Sequence, residues 1–138
     1  MAVAVFDADV LIAYLGSEDA SHAQAVERMR GALEPGTRRL VSAVNYTEVL
    51  IGPLRAGESG AAEKVNAMFV RFGIETIVVD MAMAQRAAAV RARTNLKLPD
   101  AYAVATAIHA EHRGWEDVRL ESFDETVVKA YRDLRPGT

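Results

Sequence analysis

Short runs of β-branched and aromatic residues alternate with helical patterns from one end of this chain to the other, and that alternation decides its fold class. Val3 to Phe6 is an unbroken apolar run, which suits a strand buried on both faces of a parallel sheet better than a half-exposed one. Leu40 to Ala43, Ile74 to Val79 and, more weakly, Val118 to Phe123 are the other strand candidates. Ser21 with Gln24 forms a capping-box pattern ahead of Ala25, Val26, Met29, Ala32 and Leu33, until Pro35-Gly36 stops the helix. Asn45 to Ala56 and Ala61 to Phe72 read as two more helices, split by Gly57 to Gly60, with Pro53 kinking the first. Asp80 caps a helix from Met81 to Thr94, Pro99 opens another through Ala103, Ala107 and Ile108, and Glu125 to Leu134 closes the series. The expected architecture is a three-layer α/β/α domain around a central four- or five-stranded parallel sheet with right-handed crossovers. The closing "LRPGT" is a poor candidate for the fifth strand.

Size and charge narrow the functional classes. A chain of 138 residues with 51% hydrophobic content fits one compact domain spanning residues 1–138. Its 16 Lys and Arg against 19 Asp and Glu give a net charge of -3, so a polyanion would have to be met by a local basic patch. The absence of cysteine excludes disulfides, thiolate zinc sites and cysteine nucleophiles, and suits a reducing compartment. No basic leader precedes an apolar stretch and no apolar run is long enough to span a bilayer, so we expect a soluble, cytoplasmic protein without membrane contact.

The chemistry lies in the acids. Asp7 and Asp9 sit between Val3–Phe6 and the apolar Val10, Leu11 and Ile12, where an unpaired buried carboxylate is costly. Each acid has an ordinary structural explanation when taken alone. The Asp7–Asp9 pair fits a polar turn, Glu48 fits the far half of a capping box begun by Asn45, Asp100 complements a helix dipole behind Pro99, and Asp124 caps the terminal helix. Their shared placement is what these explanations leave out. Asp7, Glu48 and Asp124 each follow a predicted strand, so a parallel sheet delivers them to the same edge, where ligands of open α/β sheets bind. Clustered carboxylates repel, so they must take up protons or hold a cation; oxygen-only donors favour a hard ion such as Mg²⁺ or Mn²⁺.

Four segments, "VFDADVLIAYL", "SAVNYTEVLIGPLRAG", "LKLPDAYAVATAIHA" and "LESFDETVV", resemble in order and spacing the acidic motifs of the PIN-domain ribonucleases, in particular the VapC toxins of bacterial toxin–antitoxin pairs. The resemblance implies that Asp7, Glu48, Asp100 and Asp124 hold Mg²⁺ or Mn²⁺ for hydrolysis of an RNA phosphodiester. Asp9 stands where the family usually has Asn or Ser, as an added ligand or a support to Asp7. Ser122 replaces a common threonine and keeps the hydroxyl. The resemblance also implies a transfer or ribosomal RNA substrate, a homodimer, and a cognate VapB-like antitoxin whose tail enters the acidic groove. The helix segment Val44 to Leu54 is apolar on more than one face, as core or as interface.

Cations near the acids are the candidate RNA rim: Arg38 and Arg39 before the second strand, Arg55 two turns after Glu48, and Arg91, Arg93 and Lys97 ahead of Asp100. The histidines, His22, His109 and His112, adjoin no acidic motif. Rival readings are a phosphatase of the haloacid-dehalogenase type with Asp7 as nucleophile, a receiver-like module with Asp80 as its phosphorylated residue, and a PIN-like module that binds without cleaving. The phosphatase lacks its later lysine and closing aspartate pair, and the receiver lacks its lysine.

Overall fold

The computed structural model describes residues 1–135 and has the element order β1 (Ala2–Phe6), α1 (Ala8–Leu15), α2 (His22–Ala32), β2 (Thr37–Ser42), α3 (Ala43–Arg55), α4 (Ala61–Phe72), β3 (Ile74–Ile77), α5 (Met81–Arg93), α6 (Leu98–His112), β4 (Val118–Glu121) and α7 (Glu125–Leu134). The sheet order is β3-β2-β1-β4, and every pairing is parallel. Strand order reverses at β1, which pairs with β2 on one side and β4 on the other. The candidate fifth strand falls on residues that partly lie outside the described ones, since Leu134 ends α7 and 136–138 are not described.

The unbroken apolar run of β1 follows from its place. Val3, Ala4, Val5 and Phe6 are all fully buried, because helices cover both faces of the sheet. Val3 and Val5 join Leu40, Val118 and Leu120 in the core under α5, α6 and α7, while Ala4 and Phe6 face the core of α1, α2, α3 and α4. Each large side chain removed from water this way contributes about 1.5–3 kcal/mol. The alanine-rich α6 fits the same logic. Ala101, Ala103, Ala105, Ala107 and Ala110 are fully buried, and small side chains let that helix lie close to the sheet and to its neighbours.

Several boundaries differ from the sequence expectation for local reasons. β2 begins at Thr37 rather than Leu40, so Arg38 and Arg39 belong to the strand itself. β3 stops at Ile77 because it is an edge strand, leaving Val78 and Val79 exposed. α1 had no place in the expectation; it starts directly at the end of β1, capped by Asp7, whose Oδ1 accepts a hydrogen bond from the Ala8 N–H at 2.9 Å. The Ser21 capping box does not form: Ser21 makes no side-chain cap bond, and its own N–H donates to Asp19. Gly73 ends α4 at φ 62°, a left-handed conformation that allows β3 to begin at the next residue.

Candidate active site

Asp7 sits where β1 meets α1, beyond the carboxyl end of a central strand and beside the point of strand-order reversal, where open α/β sheets bind ligands. Its carboxylate is buried and held at both oxygens: Oδ1 by the Ala8 N–H, and Oδ2 by the Ser122 hydroxyl at 2.9 Å. Ser122 follows β4, so this bond ties together residues 115 positions apart. The same Ser122 Oγ accepts from the Asp124 N–H at 3.1 Å. Asp9, on the first turn of α1, accepts from the Phe123 N–H at 3.0 Å through Oδ2, with the Ser122 hydroxyl 3.4 Å away. Asp124 caps α7 by accepting from the Thr126 N–H at 2.9 Å and is exposed.

Glu48 and Asp100 arrive from helices. The capping box expected between Asn45 and Glu48 is absent, because Ser42 caps α3 and places Asn45 one turn inside the helix. Asn45 and Glu48 therefore share a helix face, and the Asn45 amide donates to Glu48 Oε1 at 3.0 Å. Asp100 lies in the first turn of α6, just after Pro99.

The carboxyls of Asp7, Asp9 and Asp100 each feel the charge of other acids in this set. Burial pushes the Asp7 carboxyl up to about 7, with the charges of Asp9 and then Asp100 adding to the effect and the Ser122 and Ala8 bonds opposing it. Asp100 is raised by burial, then by Asp124, Glu48 and Asp9, while the Lys97 charge lowers it. Asp9 is raised mainly by burial, with a contribution from Asp124, against the Phe123 bond. The charges of Glu48 and Asp124 thus reach Asp100, and Lys97 stands within the same field.

The donors are all oxygens. Among the described residues no three acidic or imidazole side chains converge as a ready-made metal cage. A Mg²⁺ ion keeps several waters and is commonly held by one or two carboxylates directly. Asp9 Oδ1 is buried and meets no hydrogen-bond donor in good geometry, which leaves an acceptor at the site for an ion or its water. The residues therefore fit a divalent cation.

A family model described as PIN domain matches residues 4–132. The chain belongs to the PIN-domain family. The structure resembles VapC20 of Mycobacterium tuberculosis, a sarcin–ricin loop cleaving toxin, with a TM-score of 0.70 at 18% identity over 92% of this chain and 94% of that one. It resembles a toxin–antitoxin complex from Klebsiella pneumoniae with a TM-score of 0.59 at 29% identity, over 88% of this chain and 86% of that one. It also resembles VapBC2 of Rickettsia felis, solved with a fragment of promoter DNA, with a TM-score of 0.60 at 12% identity, covering 88% and 99%. No curated protein matches the chain. Membership of the PIN family sets aside the phosphatase and receiver readings.

The basic rim needs correction. Arg38 and Arg39 lie on the first half of β2, towards the opposite edge of the sheet from the PIN-domain acids. Arg38 forks onto Glu75, with Nη2 2.7 Å from Oε1, and stacks over Trp115 with its guanidinium carbon 4.4 Å from the ring centroid. Arg39 donates to the carbonyls of Ala32, Thr37 and Phe72, closing the ends of α2 and α4. Both guanidiniums are committed to the fold. Arg55 lies in the last turn of α3, about 10 Å along the helix from Glu48. Arg91 donates to the Thr94 carbonyl at 3.3 Å at the end of α5. Arg93, the last residue of α5, and Lys97, on the turn leading to Asp100, are exposed.

Two residues escaped the sequence argument. Arg28 on α2 donates to Glu121 Oε1 at 2.9 Å and to the Ser122 carbonyl at 3.3 Å, and lies over Phe123. No local pattern announces a contact across 93 positions. Asn45 did carry a signal, the three-residue spacing to Glu48, but that spacing has two meanings and the helix start decides between them.

Proposed function

We propose that this PIN domain is a toxin-type endoribonuclease, hydrolysing RNA phosphodiester bonds with Mg²⁺ or Mn²⁺ held by Asp7, Glu48, Asp100 and Asp124. The observation that supports this reading is the tie of Asp7 and Asp9 to the β4–α7 turn through Ser122 and Phe123, with the buried Asp9 Oδ1 left without a donor and the charges of Glu48 and Asp124 acting on Asp100. A bound divalent ion supplies Lewis acidity, lowering the pKa of a water for in-line attack and offsetting charge on the phosphoryl oxygens. The chain's own groups position and hold. Ser122 and the Ala8 N–H fix both oxygens of Asp7, so the carboxylate presents one orientation. Asp9 fastens α1 to the β4–α7 turn through Phe123, supporting Asp7 and Asp124 together. Lys97, beside Asp100, meets the incoming phosphate. No histidine serves as base: His22 bonds the Ala13 carbonyl, and His109 and His112 lie in the last turn of α6, away from Asp100 in its first.

The partners follow the same reading. The substrate is structured RNA of the transfer or ribosomal class, and the protein works in the cytoplasm as a homodimer held inactive by a VapB-like antitoxin. The likeness to toxin–antitoxin complexes supports the antitoxin. An apolar groove of about 340 Å³ between α1, α3 and α4, lined by Ile12, Leu15, Val49, Pro53 and Val65, offers it a seat. Val49 belongs to the core, whereas Ile51 and Leu54 on the same helix are exposed. Among the described residues no helix is long and apolar enough to cross a membrane.

Incubating the purified chain with transfer and ribosomal RNA in Mg²⁺, Mn²⁺ or EDTA tests the activity. Cleavage is expected with either ion and not in EDTA; cleavage that persists undiminished in EDTA, or none with either ion, overturns the reading. For the rim, replacing both Arg93 and Lys97 with Ala is expected to weaken RNA binding and make its logarithmic salt dependence shallower by about one to two. An unchanged salt slope removes these two side chains from the RNA path.

A further inference from the structure

We propose that Asn45 is a positioning residue that sets the spacing between Glu48 and Asp100, by holding the Glu48 carboxylate and the Pro99 carbonyl on the two hydrogens of one amide nitrogen. The inference rests on the metal-binding reading of those acids. Asn45 Nδ2 lies 3.0 Å from Glu48 Oε1 and 3.1 Å from the Pro99 carbonyl oxygen. Both partners are acceptors only, so chemistry alone requires the nitrogen to face them. Asn45 is fully buried, so its rotamer is set by its surroundings rather than by solvent.

The arrangement bridges two packed helices, α3 and α6, with a side-chain hydrogen bond at the start of the second. Glu48 is on α3, and Pro99 is the residue directly before Asp100 in the first turn of α6. A hydrogen bond to the backbone there fixes the start of α6 itself, and with it the base of the Asp100 side chain. The charge of the amide matters as much as its shape. The Asn45 amide donates to Glu48 Oε1 at 3.0 Å, which fixes that carboxylate on the face of α3 turned toward α6. A lysine or arginine would do that while cancelling the negative charge a cation needs. A neutral amide donates to one carboxylate oxygen and leaves both the charge and the second oxygen for the ion. Asn45 Oδ1, buried and without a hydrogen-bond partner among the described residues, adds an acceptor beside the acids.

Calorimetric titration of the protein with Mn²⁺ tests this without reference to cleavage. The proteins are wild type, Asn45→Ala, Asn45→Thr, Glu48→Gln and the double variant Asn45→Ala with Glu48→Gln, each at a temperature where circular dichroism shows it folded. Asn45→Ala is expected to weaken Mn²⁺ binding by about 10- to 100-fold. Asn45→Thr, which keeps the bulk and one donor, is expected to lose less, and it carries the test if the alanine variant does not fold. Because part of its effect runs through Glu48 and part through Pro99, Asn45→Ala should cost less in the Glu48→Gln background than in the wild type. Wild-type affinity in Asn45→Ala, or in Asn45→Thr where the alanine variant does not fold, with Glu48→Gln weakened, overturns the role of Asn45 and leaves the metal reading standing, as does full additivity in the double variant. Wild-type affinity in Glu48→Gln overturns the metal role of that residue, and the inference with it.

Discussion

Asp7→Asn is expected to abolish RNA cleavage and at the same time raise the melting temperature of the metal-free protein by roughly 10 °C at pH 8. The folded protein holds the Asp7 carboxyl at about 7, against 3.8 in an unperturbed chain. A group with a raised folded-state pKa keeps its proton more tightly when folded. Its contribution is therefore most favourable below pH 4 and is lost as pH climbs toward 7, by about 1.36 kcal/mol per unit of pH and about 4 kcal/mol in all. Asparagine carries no charge at any pH and keeps an acceptor for the Ala8 N–H, so the variant escapes that loss. The comparison is thermal unfolding in EDTA at pH 5, 6.5 and 8, where the gap between variant and wild type should widen with pH. A gap that stays constant would mean that charge burial at Asp7 is not its source. Adding Mg²⁺ should then stabilise the wild type and not the variant, since a ligand stabilises only the form that binds it.

Arg28→Ala should cost about 2 kcal/mol of stability and slow cleavage by about tenfold, although Arg28 is no part of the acidic group. Glu121, at the end of β4, is 8% exposed, and Arg28 is its salt-bridge partner at 2.9 Å. Losing a fully buried partner costs about 3–5 kcal/mol, and the 38% exposure of the Arg28 side chain reduces that figure through solvent screening. The tenfold effect on rate comes from the other two contacts. With the guanidinium gone from the Ser122 carbonyl and the Phe123 ring, the turn that delivers Ser122 to Asp7 is no longer clamped to α2. Glu121→Gln in the Arg28→Ala background should recover much of the stability, because it removes the stranded charge, and little of the rate. Denaturant unfolding and single-turnover cleavage separate the two; recovery of both together would count against the clamp.

Much of this arrangement is legible in the chain because parallel sheets turn sequence order into place. An acid after each of several apolar runs is enough to predict a shared edge, and the family motifs add Asp100, which no strand announces. Where the sequence misleads, it does so at residues with two readings. Arg38 and Arg39 look like solvated charges before a strand, yet a guanidinium on a strand can fold back onto an acid or onto helix ends, and only tertiary contact reveals which. Asp7 looks like a turn residue because its capping of α1 takes place with no loop at all between strand and helix. Glu48 three residues after Asn45 fits a helix start equally well, until Ser42 is seen to provide the cap. The coupling of Asp9 to Phe123 spans 114 positions and lies beyond any local pattern.

The direct joint of β1 to α1 has a consequence for how such an enzyme changes over time. With a buried central strand on one side and a helix on the other, Asp7 has no slack: an insertion or deletion nearby would shear the core before it moved the carboxylate. New RNA preferences must therefore be acquired at the periphery, in the α5–α6 turn with Lys97 and the adjoining Arg93 or in the glycine-flanked α3–α4 turn. Lineages of such proteins can diverge widely in what they cut while the point of attack on the phosphate stays where it began.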